Sequence, residues 1–209
     1  MLFRSIATFA TFALSAVSVI AAPAPEANGA ALVKKATPAS IPQIFADATT
    51  SLTPQTQALQ ALGPNDLTVE KISPILGAIT VILNEVVTDV KVLVGQEAAI
   101  VLATVDKTAI VALHDLAIIV SELVHLVLTA LGAVLALLSA HPVAVALQIH
   151  SLLFQVGQLV GTVVVTVVQV AGVLLPGLQL AINVLLGDLT FIITQLGLTI
   201  LGGLLGILL

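Results

Sequence analysis

The chain has no cysteine, no tryptophan and no tyrosine among its 209 residues. Without cysteine there is no disulfide framework, no thiolate metal site and no cysteine nucleophile. Charge is scarce as well. Charged residues make up 8% and hydrophobic residues 59%, where an average soluble domain has about 25% charged and about 45–50% apolar residues. Only Lys71, Lys91 and Lys107 lie beyond residue 35, and the formal charge is −5. A nucleic-acid footprint needs clustered Lys and Arg, so nucleic acid is excluded as a partner class. From Leu123 to the C-terminus a single formal charge remains, Asp188.

The N-terminus reads as an address. Arg4 supplies a positive start, Ile6 to Ile20 is an apolar run, and Val19 and Ala21 are small enough for cleavage before Ala22. The apolar run is about 15 residues, shorter than the ~20 of a membrane span. Residues 1–21 are therefore expected to be a cleaved secretory signal. Residues 22–64 are expected to be a flexible Pro/Ser/Thr-rich segment. Within it, Lys34-Lys35 is either a dibasic processing site ending a propeptide at residue 35 or a pair of solvated lysines. Pro38, Pro42, Pro54 and Pro64 allow at most short helices, around Gln43–Leu52 and Gln55–Leu62. Thr37 to Thr56 would accept O-linked sugar, whereas Asn28, Asn65, Asn84 and Asn183 all lack the N-glycosylation sequon.

The remainder, 65–209, is helical by period. An N-cap is available at Asn65 or Asp66, or at Ser73 with Pro74 following. Ile72, Leu76, Ile79, Leu83, Val86, Val90 and Leu93 then follow alternating four- and three-residue steps, a heptad seam on an amphipathic helix. Gly95 marks a break. Gln96 to Ala140 is one long helix or two, with Asp106–Thr108 as the joint, and His141-Pro142 ends it. In Val143–Leu174, Gln148, Ser151, Gln155, Gln158, Thr162, Thr166 and Gln169 recur at helical spacing. After Pro176-Gly177, Gln179, Asn183, Gly187, Thr190, Thr194 and Gly197 repeat the pattern. The expected fold is all-α: a long-helix bundle with amphipathic helices over 65–140 and a strongly apolar C-terminal helical hairpin over 143–209.

No catalytic motif stands out. Glu122 and His125 form a Glu-x-x-His pair on one helical face, with His114 and Asp115 on the same stripe. Di-iron bundles need two such pairs and two further glutamates, and no second pair exists. His141 and His150 read as structural. There is no nucleophile elbow, phosphate-binding loop or dinucleotide fingerprint. The expectation is no enzyme, no catalytic, cofactor-binding or metal site, and no cofactor. Gly157-x-x-x-Gly161 and Gly202-x-x-x-Gly206 have the spacing for close helix contact in lipid.

Two classes of function remain. Leu123–Ala140, Leu159–Leu175 and Leu189–Leu209 come close to the ~20 residues of a span, which favours a polytopic membrane protein. Against it, no Lys or Arg follows Lys107 to set topology, aromatic interface anchors are missing, and the glutamine stripe runs the length of its segment. A membrane-active toxin or lipid carrier is a third alternative. The layout is a signal, a Pro/Ala/Lys-Lys stretch, a polar N-terminal half and a cysteine-free aliphatic half ending in Leu-Leu. In this it resembles the small secreted, non-hydrophobin matrix proteins of mushroom-forming fungi. The resemblance covers the whole chain as architecture and composition, and no motif carries it. It implies a location in the cell wall or extracellular matrix and a structural, surface-active role in hyphal attachment and aerial growth. The expected partners are further copies of the chain, as an oligomer or film, and a hydrophobic surface, wall glycan or lipid.

Overall fold

Ser40 begins the first helix by accepting a hydrogen bond on its Oγ from the Gln43 amide (3.4 Å), with Pro42 in the opening turn. In this computed structural model, which describes residues 38–138 and 141–206, α1 runs from Ile41 to Gln60 without interruption. It buries Ile41, Ile44, Phe45, Ala48, Leu52 and Leu59 on one face. The expectation of a flexible segment through residue 64 with two short helices is corrected here. Pro54 breaks a helix only where its missing donor and its push on the carbonyl four residues back are costly. Pro54 and Thr50 are both exposed, so water takes over that carbonyl while the apolar row continues beneath. Thr56 is the polar residue in this row, and its hydroxyl donates to the Leu52 and Thr53 carbonyls. The expected signal over residues 1–21 and the candidate processing point at Lys34-Lys35 lie outside the described residues.

The second helix, α2, spans Val69–Val92 and buries Ile72, Leu76, Ile79, Leu83, Val86 and Val90, with Leu93 just beyond its end. The heptad seam is as the spacing predicts. Its N-cap is Thr68, whose Oγ1 accepts from the Lys71 amide, instead of Asn65, Asp66 or Ser73. Asp66 accepts from the Lys71 ammonium at 2.6 Å. That hydrogen bond, with the Lys71 charge, holds the Asp66 carboxyl below the usual aspartate range. Gly95, at φ +76°, stops the chain as expected.

Next comes α3, a single turn at Ala98–Val101, and an irregular stretch closed by an antiparallel bridge between Ala103 and Ile110. Asp106 organises its tip. It accepts from the hydroxyls of Thr104 and Thr108 and from the Thr108 amide, which keep its carboxyl below the usual range. Lys107 there has φ +59°. Local side-chain acceptors outcompete the helix at such positions, so the helix expected from Gln96 is cut to the single turn α3, an irregular stretch spans 102–112 around Asp106–Thr108, and the long helix α4 begins only at Leu113. It continues to Leu137 and is followed, after His141-Pro142, by α5, Val143–Ala171.

The expected second arm of the C-terminal hairpin is broken. In its place stand α6 (Leu178–Leu185), a 3-10 turn (Gly187–Leu189), α7 (Thr190–Leu196) and α8 (Thr199–Leu205). Gly187 and Gly197 act as breaks and not as members of a polar stripe. The axis bends by 52° between Leu178–Leu185 and Gly187–Leu196. Gly197, at φ +66°, ends α7 with the Leu198 amide donating back to the Ile193 carbonyl, a left-handed cap that favours glycine.

These elements make an all-α bundle. The helix α1 lies between α2 and α4, and α2 lies between α1 and α5. Helices α4 and α5 touch each other sparingly. Instead α6 lies against α4, α8 against α5, and α7 against both. Phe45 in α1 is 0% exposed, so Phe45→Ala is expected to lower stability by about 3–5 kcal/mol in denaturant unfolding. A loss below about 1 kcal/mol would contradict the place of α1 in the core.

Candidate functional site

Glu122 and His125 of the Glu-x-x-His pair line one open cavity of about 200 Å3 with Ile118, Ser121 and Leu185. Glu122 is exposed on α4, whereas His125 is partly buried and its Nε2 lies 3.1 Å from the Leu185 carbonyl at the end of α6. A carbonyl only accepts, so Nε2 carries the hydrogen in that bond. The Asp188 carboxylate lies 3.4 Å from the same nitrogen, so the one charge of the C-terminal half sits beside a histidine. His114 and Asp115 are exposed in the first turn of α4, where Asp115 complements the helix dipole. Among the described residues, no three His, Asp or Glu side chains come together as a metal would need. His150 places Nε2 3.4 Å from the Gln195 carbonyl. His141 lies between an open cavity of about 570 Å3 near Thr68 and Glu70 and one of about 350 Å3 near Leu135 and Leu147. Its buried Nε2 has no hydrogen-bond partner among the described residues.

What the fold does bring together is a set of glycines and the C-terminal segment. A Cβ placed on Gly132 of α4 would lie 2.8 Å from Ile192 of α7. On Gly157 of α5 it would lie 2.6 Å from a Leu198 methyl, and on Gly161 2.9 Å from Ile200. Each distance is shorter than two carbons allow. Glycine inside a helix costs about 0.5–1 kcal/mol relative to alanine, and here the close seating of α7 and α8 offsets that cost. The Gly157-x-x-x-Gly161 spacing thus serves contact within the chain. Gly202-x-x-x-Gly206 does not act as a pair, since Gly206 is the left-handed cap of α8 at φ +70°.

The glutamine stripe divides accordingly. Gln148, Ser151, Gln155 and Gln169 face outward. Gln158 and Thr162 are half-buried near α8, and Thr166 is buried with its hydroxyl on the Thr162 carbonyl. The Gln158 amide donates to Thr199 Oγ1 at 3.0 Å, and its oxygen accepts from the Ile200 amide. Asn183 Nδ2 donates to the Leu204 carbonyl at 2.8 Å, tying α6 to α8. The sequence shows these amides as a stripe but not which of them a later segment covers. Gly132 carries no sequence signal at all, since a lone glycine in an aliphatic helix has no visible partner.

The outer surface of the same region is apolar. Val143 and Leu147 on α5, Val173 beyond it, Leu180 and Val184 on α6, and Phe191 on α7 are each at least 65% exposed. By length and composition, α4 and α5 are each able to cross a membrane, with mean hydropathies of 2.2 and 1.9, yet half of each apolar window is buried inside the fold. No protein-family model, no curated protein and no solved structure matches this chain.

The glycine seats give a paired prediction. Gly157→Val forces a branched side chain into Leu198 and is expected to lower stability by about 1–3 kcal/mol. Gly77→Ala in α2, where an added Cβ meets nothing within 4 Å, is expected to raise it by about 0.4–1 kcal/mol. Denaturant unfolding of both checks this; equal effects of the two would contradict the seating.

Proposed function

We propose that this is a secreted structural protein that acts at surfaces in the cell wall or extracellular matrix. It adsorbs and self-associates through apolar helices and supports attachment and aerial growth. The observation that carries this reading is the run of large aliphatic and aromatic side chains left exposed from α5 to α7, in a region whose one formal charge is Asp188. Large apolar side chains left exposed on successive elements favour contact with a partner, a membrane or an interface. The absence of Lys and Arg after Lys107 argues for a neutral apolar phase over an anionic lipid surface, which recruits clustered basic residues. The fungal matrix proteins that the layout resembles have such a role. The chemistry needed is adsorption, and no catalytic step is part of the proposal.

A polytopic membrane protein is the second reading, favoured by the length and hydropathy of α4 and α5. It requires their covered faces to exchange α1, α2 and α6–α8 for lipid. Amphipathic α1 and α2, whose outer faces carry Asp47, Glu70, Glu85, Asp89 and Lys91, supply a water-facing side that a membrane interior would not tolerate.

Fractionation of the producing cells decides between them. The surface-active reading predicts the chain in medium and wall extracts, and purified protein that lowers the tension of an oil–water interface. Recovery only from carbonate-resistant membranes, with none in medium or wall, would overturn it.

A further inference from the structure

The C-terminal segment 178–205 is built unlike the rest of the chain. Its inner side chains, among them Leu178, Ile182, Ile193, Leu198 and Leu201, are buried against α4 and α5. Its outer side mixes the exposed apolar Leu180, Val184 and Phe191 with the exposed polar Gln179, Asp188, Thr194, Gln195 and Thr199. Large apolar side chains on that water-facing side are surface the core does not use and an interface would. Each of α6–α8 has only seven or eight residues, far below the ~12–15 at which an isolated helix becomes even marginal in water. Their helical form therefore depends on what they lie against.

The attachment is mainly apolar, with few polar ties. Besides apolar contact, the ties to α4 and α5 are His125 to the Leu185 carbonyl and to the Asp188 carboxylate, His150 to the Gln195 carbonyl, and Gln158 to Thr199 and Ile200. The last two are exposed, so water can replace them at little net cost. The segment starts at Pro176-Gly177, where Gly177 has φ +94°, a turn that leaves the bundle helices unaltered if it swings. Beneath lies α5, which has no charged residue over 29 positions, beside α4.

We propose that α6–α8 form a detachable strap, and that the main adsorbing surface is the α4–α5 face beneath it, exposed when the strap swings onto a neutral hydrocarbon–water interface. This rests on the surface-active reading and adds how the activity is held back in water. With the strap closed, the largest apolar surface is covered and the chain stays dispersed. At the interface both sides of the strap and the face it covered become contact area. The exposed residues Leu180, Val184 and Phe191 make first contact.

The absence of cysteine makes a clean test available. In a disulfide, each Cβ lies about 3 Å from the partner's sulfur. A Cβ on Gly157 lies 3.3 Å from Leu198 Cγ, so Gly157→Cys with Leu198→Cys places the two thiols to lock α8 to α5. Gly132→Cys with Ile192→Cys, where the corresponding distance is 3.2 Å, locks α7 to α4 as an independent pair. Adsorption to a dodecane drop in buffer is followed by tensiometry for each full-length protein, oxidised and reduced, after circular dichroism shows that the two forms are equally helical. The expected result is adsorption at least tenfold slower in the oxidised form of either pair, restored by reductant to at least the wild-type rate. Equal rates in oxidised and reduced forms of a folded pair would overturn the strap while leaving surface activity standing. Wild-type protein that fails to lower the tension would overturn both.

Discussion

Leu123 to Leu209 contains one formal charge, so its apolar helices have almost no charged side chains of their own to cover them. Everything in the arrangement follows from how its apolar helices are covered. On one side, α1 and α2 lend polar outer faces and close a shared core with α4 and α5. On the other side the chain covers α4 and α5 with its own last segment. That cover fits only because Gly132, Gly157 and Gly161 leave no side chain where Ile192, Leu198 and Ile200 settle. The cover itself leaves apolar surface outside, since Leu180, Val184 and Phe191 stay exposed beside Gln179, Asp188 and Gln195.

The parts of the fold legible in the sequence are those set by local rules. The α2 seam from Ile72 to Leu93 could be read directly, because a heptad step repeated that many times has one structural meaning. The joint at Asp106–Thr108 and the end at His141-Pro142 could be read too, from side-chain acceptors and from the restriction before proline. Helix α1 was hidden because Pro54 reads as a breaker. Whether proline breaks a helix depends on which side faces water, and that is a tertiary fact. The C-terminal arm was misread for the opposite reason. Gly187 and Gly197 fell in phase with Gln179, Asn183, Thr190 and Thr194, so a helical period masked two chain breaks.

The same limit governs the functional surface. Composition alone points to a surplus of apolar surface, and the polar stripes show that the helices are not uniform. Which amides stay wet and which become ties depends on contacts between residues some 40 positions apart, such as Gln158 with Thr199. No single-sequence pattern encodes such pairs. The Gly157-x-x-x-Gly161 spacing was visible, but its partner was not. Its reading changes from helix contact in lipid to a seat within the chain, and with that change an argument for a membrane span becomes an argument for a covered surface.

The central claim is that α6–α8 cover the bundle as a unit less stable than the bundle itself. Native-state hydrogen exchange of the purified protein in buffer tests this most directly, since a separately opening unit exchanges through its own low-energy route. The account predicts that amides of α6–α8 exchange together, with protection at least about tenfold below the buried turns of α1, α2, α4 and α5. Equal protection across all of these helices, lost only in global unfolding, would contradict it.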